Sequence, residues 1–281
     1  MPKFVRSLKL GNAKVTIINL GEIYLPLARC MNVPEAELHA RAELRELAEQ
    51  TRIPIHCTHF QLPQTSVLVD AGLYDVTTEP EYALANYTPP PSLRHQLAAS
   101  GIRAERIAHV IITHRHWDHF NGTTFEHNGE WAPQFPNARY YLSRVDWERA
   151  ASALANPNSF EYRTLRVLHE RRMLELVEGN RDLGHGVQIL AAPGETPGHQ
   201  IVRVHSEGET FYCLGDLYHH PVEFAHPEWM VSWAESKTNF ASRQALMKAA
   251  LNERALLLAT HIPAMGRLRS TSSGVAWENI L

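Results

Sequence analysis

The chain has 281 residues, of which 44% are hydrophobic and 20% charged, with a formal charge of -3 at pH 7. This balance excludes a disordered or fibrous chain and offers no electrostatic footprint for nucleic acid. No run reaches the roughly 18 apolar residues of a membrane span, and residues 1–7 carry charges with no hydrophobic stretch behind them, so neither membrane insertion nor a secretion signal is expected.

In chain order, residues 8–10 and 13–20 read as two strands joined by the turn Gly11-Asn12, a hairpin opening a sheet. Residues 34–49 change character. Leu38, Ala42, Leu44 and Leu47 recur at helical spacing among glutamates and arginines behind Pro34, so a helical insertion is expected near 34–50, serving as a lid or a dimer surface. Residues 54–70 read as two strands broken by Leu62-Pro63-Gln64; the second ends at Asp70, placed to orient a ligand imidazole or to cap a turn. Ser92 caps a helix over 93–100 that Gly101 stops. A strand at 110–112 leads into a polar loop, and a strand at 138–142 is followed by helices at 145–155 and 160–176. The arginines of 160–176 alternate with Glu161, Glu170 and Glu175 and mark a solvated face. Strands at 187–190, 201–205 and 210–214, a helix at 242–251 and a strand at 255–259 complete the chain. Strand and helix alternate throughout, which favours a mixed sheet with helices packed outside it, as a single domain spanning 1–281. Cys30, Cys57 and Cys213 are odd in number and widely spaced, which suits a reducing, cytoplasmic setting.

The chemistry concentrates after the strand at 110–112. In Thr113-His114-Arg115-His116-Trp117-Asp118-His119 three imidazoles and a carboxylate fall within six positions. In extended backbone the side chains at i and i+2 point the same way, so His114 and His116 can share one ion while Asp118 and His119 serve a second. His199, Asp216 and His261 each lie near a strand end as well, His199 in the loop Pro193-Gly194-Glu195-Thr196-Pro197-Gly198 and the others directly after apolar strands.

The series Thr113-His114-x-His116-x-Asp118-His119, Thr196-Pro197-Gly198-His199, Gly215-Asp216 and Thr260-His261 resembles the full motif set of the metallo-β-lactamase fold superfamily, over residues 67–261. The resemblance implies an α/β fold, a four-layer αββα sandwich of two mixed sheets with outer helices. It implies one ion on His114, His116 and His199, another on Asp118, His119 and His261, and Asp216 between them. Two divalent ions follow as cofactors, Zn²⁺ foremost, with Mn²⁺, Fe²⁺ and Co²⁺ compatible with the same oxygen and nitrogen ligands. Such ions lie about 3.5–4 Å apart and share a hydroxide that attacks a carbonyl or phosphoryl centre.

The segments Gly215-Asp216-Leu217-Tyr218-His219-His220-Pro221, His226-Pro227-Glu228-Trp229 and Thr260-His261-Ile262-Pro263 resemble the branch of quorum-quenching N-acyl homoserine lactonases and methyl parathion hydrolase. A lactonase or esterase acting on a small-molecule lactone or ester is therefore expected. A phosphotriesterase is the alternative, and a mononuclear-iron persulfide dioxygenase the alternative of another class. Arg115 stands where the diiron oxidoreductases of the superfamily carry glutamate, which argues against that branch. The lactonases place a tyrosine three residues after the bridging aspartate; here that residue is His219 and the tyrosine is Tyr218. Asp118 with His219 or Tyr218 is thus the expected proton-handling set beside Asp216. Phe224, Trp229, Trp233 and Met265 are candidates for an apolar pocket or for the core, while His56, His59, His220 and His226 are read as structural.

Overall fold

The computed structural model describes residues 4–73, 87–272 and 274–280; residues 1–3, part of the N-terminal stretch in which no secretion signal is expected, lie outside the described residues. The expected opening hairpin is present as β1 (Val5–Leu10) and β2 (Ala13–Tyr24). Gly11 turns it at φ +55°, and a Cβ there would fall 2.3 Å from the Ser206 carbonyl oxygen. Both the conformation and the close approach call for glycine.

Next come β3 (Arg52–Gln61), β4 (Ser66–Val69), β5 (His109–Ile111), a separate small hairpin of β6 (Thr124–His127) and β7 (Glu130–Pro133), then β8 (Arg139–Ser143) and β9 (Leu174–Val177). A seven-stranded sheet runs in the order β1-β2-β3-β4-β5-β8-β9. The second half supplies β10 (Arg181–Gly184), β11 (Val187–Ala191), β12 (Gln200–Ser206), β13 (Glu209–Cys213), β14 (Leu256–Leu258), β15 (Gly266–Thr271) and β16 (Gly274–Asn279), adjacent in space in that order. Both sheets are mixed, with parallel pairing at β4–β5, β5–β8, β8–β9 and β13–β14.

The layering follows from the period of two along each strand, which sends alternate side chains to opposite faces. Val15 and Ile17 of β2, Phe60 of β3 and Ile111 of β5 share one apolar cluster with Val202 and Val204 of β12, Phe211 of β13 and Leu258 of β14. This is the core between the two sheets, where Phe60 and Phe211 meet edge to face at 5.4 Å. The alternate residues Ile18, Ile55, Val110 and Leu142 point outward onto helical residues such as Leu93, Leu97 and Leu168. On the far side, Ile201, Tyr212 and Leu257 pack against Leu246 and Met247 of the helix Ser236–Glu253. The result is helices, sheet, sheet, helices, the αββα arrangement expected.

Several elements differ from the sequence reading. Residues 160–176 are not one helix: a π turn at Tyr162–Arg166 and a helix at Val167–Glu170 end at Arg172, whose φ of +58° is left-handed. The chain then becomes edge strand β9, pairing with β8. Residues 34–49 form two helices, Glu35–Ala40 and Ala42–Glu49, separated by Arg41 in an extended conformation. The helix expected at 242–251 begins at Ser236, with the Glu235 carboxylate accepting from Lys237 N and Thr238 N. The hairpins β6–β7 and β15–β16 have no counterpart among the elements expected from the sequence. Cys30, Cys57 and Cys213 are free, and among the described residues no helix is long and apolar enough to cross a membrane.

His59 illustrates a histidine used for structure. It lies 1% exposed in β3 with Nε2 2.8 Å from Ser66 Oγ. Burial, with Lys14 nearby, lowers its pKa from 6.5 to about 4. The unfolded chain therefore binds a proton that the folded chain refuses between these values, so the stabilisation is full above pH 6.5 and lost as pH falls towards 4. The loss is on the order of 3 kcal/mol. In denaturant unfolding at matched metal content, the stability of wild type minus that of His59→Gln should shrink by roughly this amount between pH 7 and pH 4. A difference that stays constant with pH would refute the assignment.

Candidate metal centre

Five loops converge at one edge of the facing sheets. Asp70 follows β4, the histidine box follows β5, the loop 193–199 precedes β12, Asp216 follows β13 and His261 follows β14. Parallel β4 and β5 end at this edge, as do parallel β13 and β14, while antiparallel β12 begins there. The inter-sheet core thus holds the loop roots rigidly, and polar side chains from distant sequence meet within a few ångströms.

All of the metal-ligand candidates except His116 are buried. Asp118, His119 and His261 form one group whose ligand atoms lie within 4.8 Å of one another, and His114, His116, Asp216 and Glu195 form another. Asp216 Oδ2 is the centre: it lies 3.1 Å from His261 Nε2, 3.2 Å from His119 Nε2, 3.6 Å from His219 Nε2 and 3.7 Å from His114 Nε2. Asp118 Oδ2 stands 3.3 Å from His261 Nε2.

The outward nitrogens of these rings are engaged, which orients the inward ones. His119 Nδ1 lies 2.9 Å from Asp70 Oδ2, His261 Nδ1 2.8 Å from the Pro54 carbonyl and His199 Nδ1 3.0 Å from the Ala192 carbonyl. Each partner can only accept, so Nδ1 carries a hydrogen and Nε2 is the nitrogen turned inward. Asp70 also accepts from Thr113 N and Oγ1 at 2.8 and 2.9 Å, fixing the start of the box. His116 is reversed, its Nδ1 facing His114 Nε2 at 2.9 Å. His199 is adjacent, with its ring centroid 5.0 Å from that of His114, and its Nε2 accepts from Asp216 N at 3.1 Å. Gly215 permits that approach: its φ is +52°, and a Cβ would fall 2.7 Å from His199 Nε2.

The electrostatics fit a cation. Burial, reinforced by neighbouring imidazoles, holds His114 well below its ordinary pKa, and burial takes His199 down to about 3, so both rings are neutral donors. Burial also opposes charge on His119 and His261, but Asp216 and Asp118 overcome it, raising His119 well above the ordinary value and His261 to about 10. The protons held there offset buried carboxylates, a task that a divalent ion would take over with their release. Asp216 Oδ1 and Glu195 Oε2 are buried with no hydrogen-bond partner. Unpaired polar atoms at the centre of a buried donor set are what a metal would satisfy.

Glu195 is the site residue that sequence reading passed over. The signal was present, a carboxylate four residues before His199 in a loop of fixed shape, but no periodicity points it inward. Tyr218 requires the opposite correction. Its ring packs on Phe224 at 3.9 Å in the outer core and its hydroxyl reaches the Arg243 carbonyl at 3.5 Å, away from the cavity. His219 instead faces the centre, stacked on His261 with ring centroids 5.8 Å apart. Of the pocket candidates, Phe224 lies between Tyr218 and Trp277, Trp229 stacks on His226, and Met265 lines a separate cavity by β1. Only Trp233 lines the cavity above the centre.

Two buried carboxylates hold the loops to one another. Asp146 accepts from Arg115 N at 3.0 Å, Thr196 Oγ1 at 2.7 Å and Gly198 N at 2.8 Å, joining the histidine box to the loop of His199. Glu223 accepts from His219 N and His220 N and pairs with Arg243, which in turn donates to the carbonyls of Leu217, Pro227 and Trp229. Both partners of this ion pair are 0% exposed.

Comparison with known proteins covers most of the chain. Residues 51–239 match the model of the metallo-beta-lactamase superfamily. An N-acyl homoserine lactonase of Bacillus sp is 26% identical over 194 residues, covering 66% of this chain and 70% of the relative. Among solved structures, the hydrolase AbOPH of the beta lactamase superfamily superposes with a TM-score of 0.80 at 19% identity, covering 100% of this chain and 99% of that one. AidC, a dizinc quorum-quenching lactonase in complex with a product homoserine, superposes with a TM-score of 0.76 at 22% identity, covering 99% and 98%.

Asp146→Ala should leave three donors unpaired, lowering stability by about 2–4 kcal/mol and metal affinity by roughly 10–100-fold. Thermal melts and chelator competition measure the two. Arg243→Met should cost about 3–5 kcal/mol, because it strands the Glu223 carboxylate in the core. A melting temperature within a degree of wild type would refute that pairing.

Proposed function

The chain belongs to the metallo-beta-lactamase superfamily and is a metal-dependent hydrolase, and from that premise we propose that it opens lactones or cleaves esters, with an N-acyl homoserine lactone-like molecule as substrate and two zinc ions as cofactors. The observation that carries this reading is the cavity above the centre, about 360 Å³ in volume. Its floor is Asp118, Asp216, His219 and His261, and its walls are Ile23, Leu25, Trp117 and Trp233. A reactive polar floor under apolar walls suits a neutral carbonyl compound bearing an acyl or aryl group. The lactonase relatives support the same substrate class.

Bound divalent ions would polarise the scissile carbonyl and make water a nucleophile near neutral pH. In this reading His114, His116 and His199 would hold one and Asp118, His119 and His261 the other, with Asp216 available to both. Asp118 takes the proton of the attacking water, and His219 returns one to the leaving oxygen. His219 is suited to that task because its ring faces the cavity while Glu223 anchors its backbone N–H. Trp233 and Ile23 flank the acyl chain.

The same reading treats residues 1–281 as one domain with the helical segment near 34–50 as an insertion that shapes the cavity mouth. Leu44 and Leu47 are fully buried, Met31 bridges to Val231, and Arg41 Nη1 lies 3.2 Å from His226 Nε2. The segment is thereby tied to the stretch leading to Trp233.

Zinc-loaded protein assayed on homoserine lactones of varied acyl length, aryl esters and a phosphotriester should turn over lactones with the highest kcat/KM. A faster phosphotriester would move the assignment to that class, and one iron per chain with oxygen uptake would abolish it. Asp216→Ala should lose metal and nearly all turnover. His219→Phe should keep both ions while kcat falls by about 10²–10⁴-fold; an unchanged kcat would remove His219 from the leaving-group role.

A further inference from the structure

Glu195 has an environment that the hydrolase reading does not use. It is 4% exposed, in a loop whose shape is locked from both sides. Gly194 N donates to the Thr196 carbonyl and the Gly194 carbonyl accepts from Glu235 N. At φ +152°, a Cβ on Gly194 would fall 2.4 Å from Asn239 Cα, so the start of the helix Ser236–Glu253 packs directly on the loop. The backbone that carries the carboxylate is thereby held in place.

Its partners are few for a buried acid. Trp233 Nε1 donates to Oε1 at 2.5 Å, and Oε2 has no hydrogen-bond partner. Oε1 also lies 3.4 Å from His116 Nδ1 and 3.9 Å from His219 Nε2. His116 Nδ1 is the nitrogen that meets His114 Nε2, so Glu195 faces the point on which the first pair of imidazoles converges. His199 Nε2, by contrast, is engaged by the Asp216 amide. A buried carboxylate with one oxygen unpartnered is costly unless a cation completes it.

Resting on the reading that this centre binds two divalent ions, we propose that Glu195 is a further anionic ligand of the ion held by His114 and His116, with Trp233 as the hydrogen-bond donor that orients its carboxylate. Two consequences follow. The first ion meets two carboxylates, Glu195 and Asp216, and this oxygen-rich shell raises the relative affinity for harder ions such as Mn²⁺ against Zn²⁺. Filling that position also alters the partner of the Trp233 indole, which lines the substrate cavity, so ion occupancy and the cavity wall are linked.

Metal-free protein titrated with Zn²⁺ and, separately, Mn²⁺ against a chromophoric chelator reads each site. Wild type should bind two ions. Glu195→Gln, which keeps shape and an acceptor for Trp233, should weaken one site at least tenfold, more for Mn²⁺ than for Zn²⁺, and leave the other unchanged. Equal affinities in wild type and Glu195→Gln would overturn the proposal, as would loss of the first ion in His199→Ala with none in Glu195→Gln. Failure of wild type to bind any ion would instead overturn the reading beneath it. A measurement that needs no Glu195 variant is the change in tryptophan emission on filling the first site. It should be present in wild type and clearly smaller in Trp233→Phe, and an identical change in both proteins would also overturn the proposal.

Discussion

The centre depends on one buried carboxylate. Asp216 Oδ2 lies within 3.7 Å of four imidazole nitrogens, contributed by His114, His119, His219 and His261. An isolated charge in this position would be prohibitive, so the surrounding rings, their protons or a cation must compensate it. Burial opposes its charge, yet His119 and His261 hold Asp216 well below the usual carboxylate range. The charge balance therefore belongs to the whole group rather than to any pair of residues.

Holding such a group together is the work of the sheets. The inter-sheet cluster is almost wholly aliphatic and aromatic, and it anchors the ends of β4, β5, β13 and β14 before the chain enters polar loops. Polar atoms at the sheet edge can then be packed to within hydrogen-bond distance without the backbone paying for disorder at each loop. Asp70, Asp146 and Glu223 extend this rigidity outward. Each accepts two or three hydrogen bonds from a loop that bears a site residue, so the inward rings are set by contacts behind them.

Most of the apolar cavity wall comes from a different part of the chain. Ile23 and Leu25 come from the end of β2 and the turn after it, while Trp233 precedes the long C-terminal helix. These segments meet through Met31 and Val231, and Asn32 exchanges hydrogen bonds with Met230. The polar floor of the cavity and most of its apolar walls thus come from different segments, Trp117 of the histidine box excepted. Glu195 and Trp233 are the contact between them.

His114 and His116 could be paired from the strand period of two, and His199, Asp216 and His261 stood out near the ends of apolar runs, while their grouping into one centre came from the resemblance to the superfamily motifs. Local rules likewise made the hairpin at Gly11, the cap at Ser92 and the alternating strands readable. Where a side chain's direction depends on contacts with remote segments, the sequence was silent or misleading. Tyr218 is next to His219 yet points into the outer core because Phe224 and Arg243 receive it. Residues 174–177 have helical spacing with their neighbours yet form β9, because β8 offers a free edge after the chain turns at Arg172. Glu195 turns inward because the helix beginning at Ser236 closes over Gly194. Local sequence determined which residues could bind metal and which strands carry them; only the packing of distant elements decided which nitrogens face one another, what walls the cavity and which extra carboxylate stands beside His116.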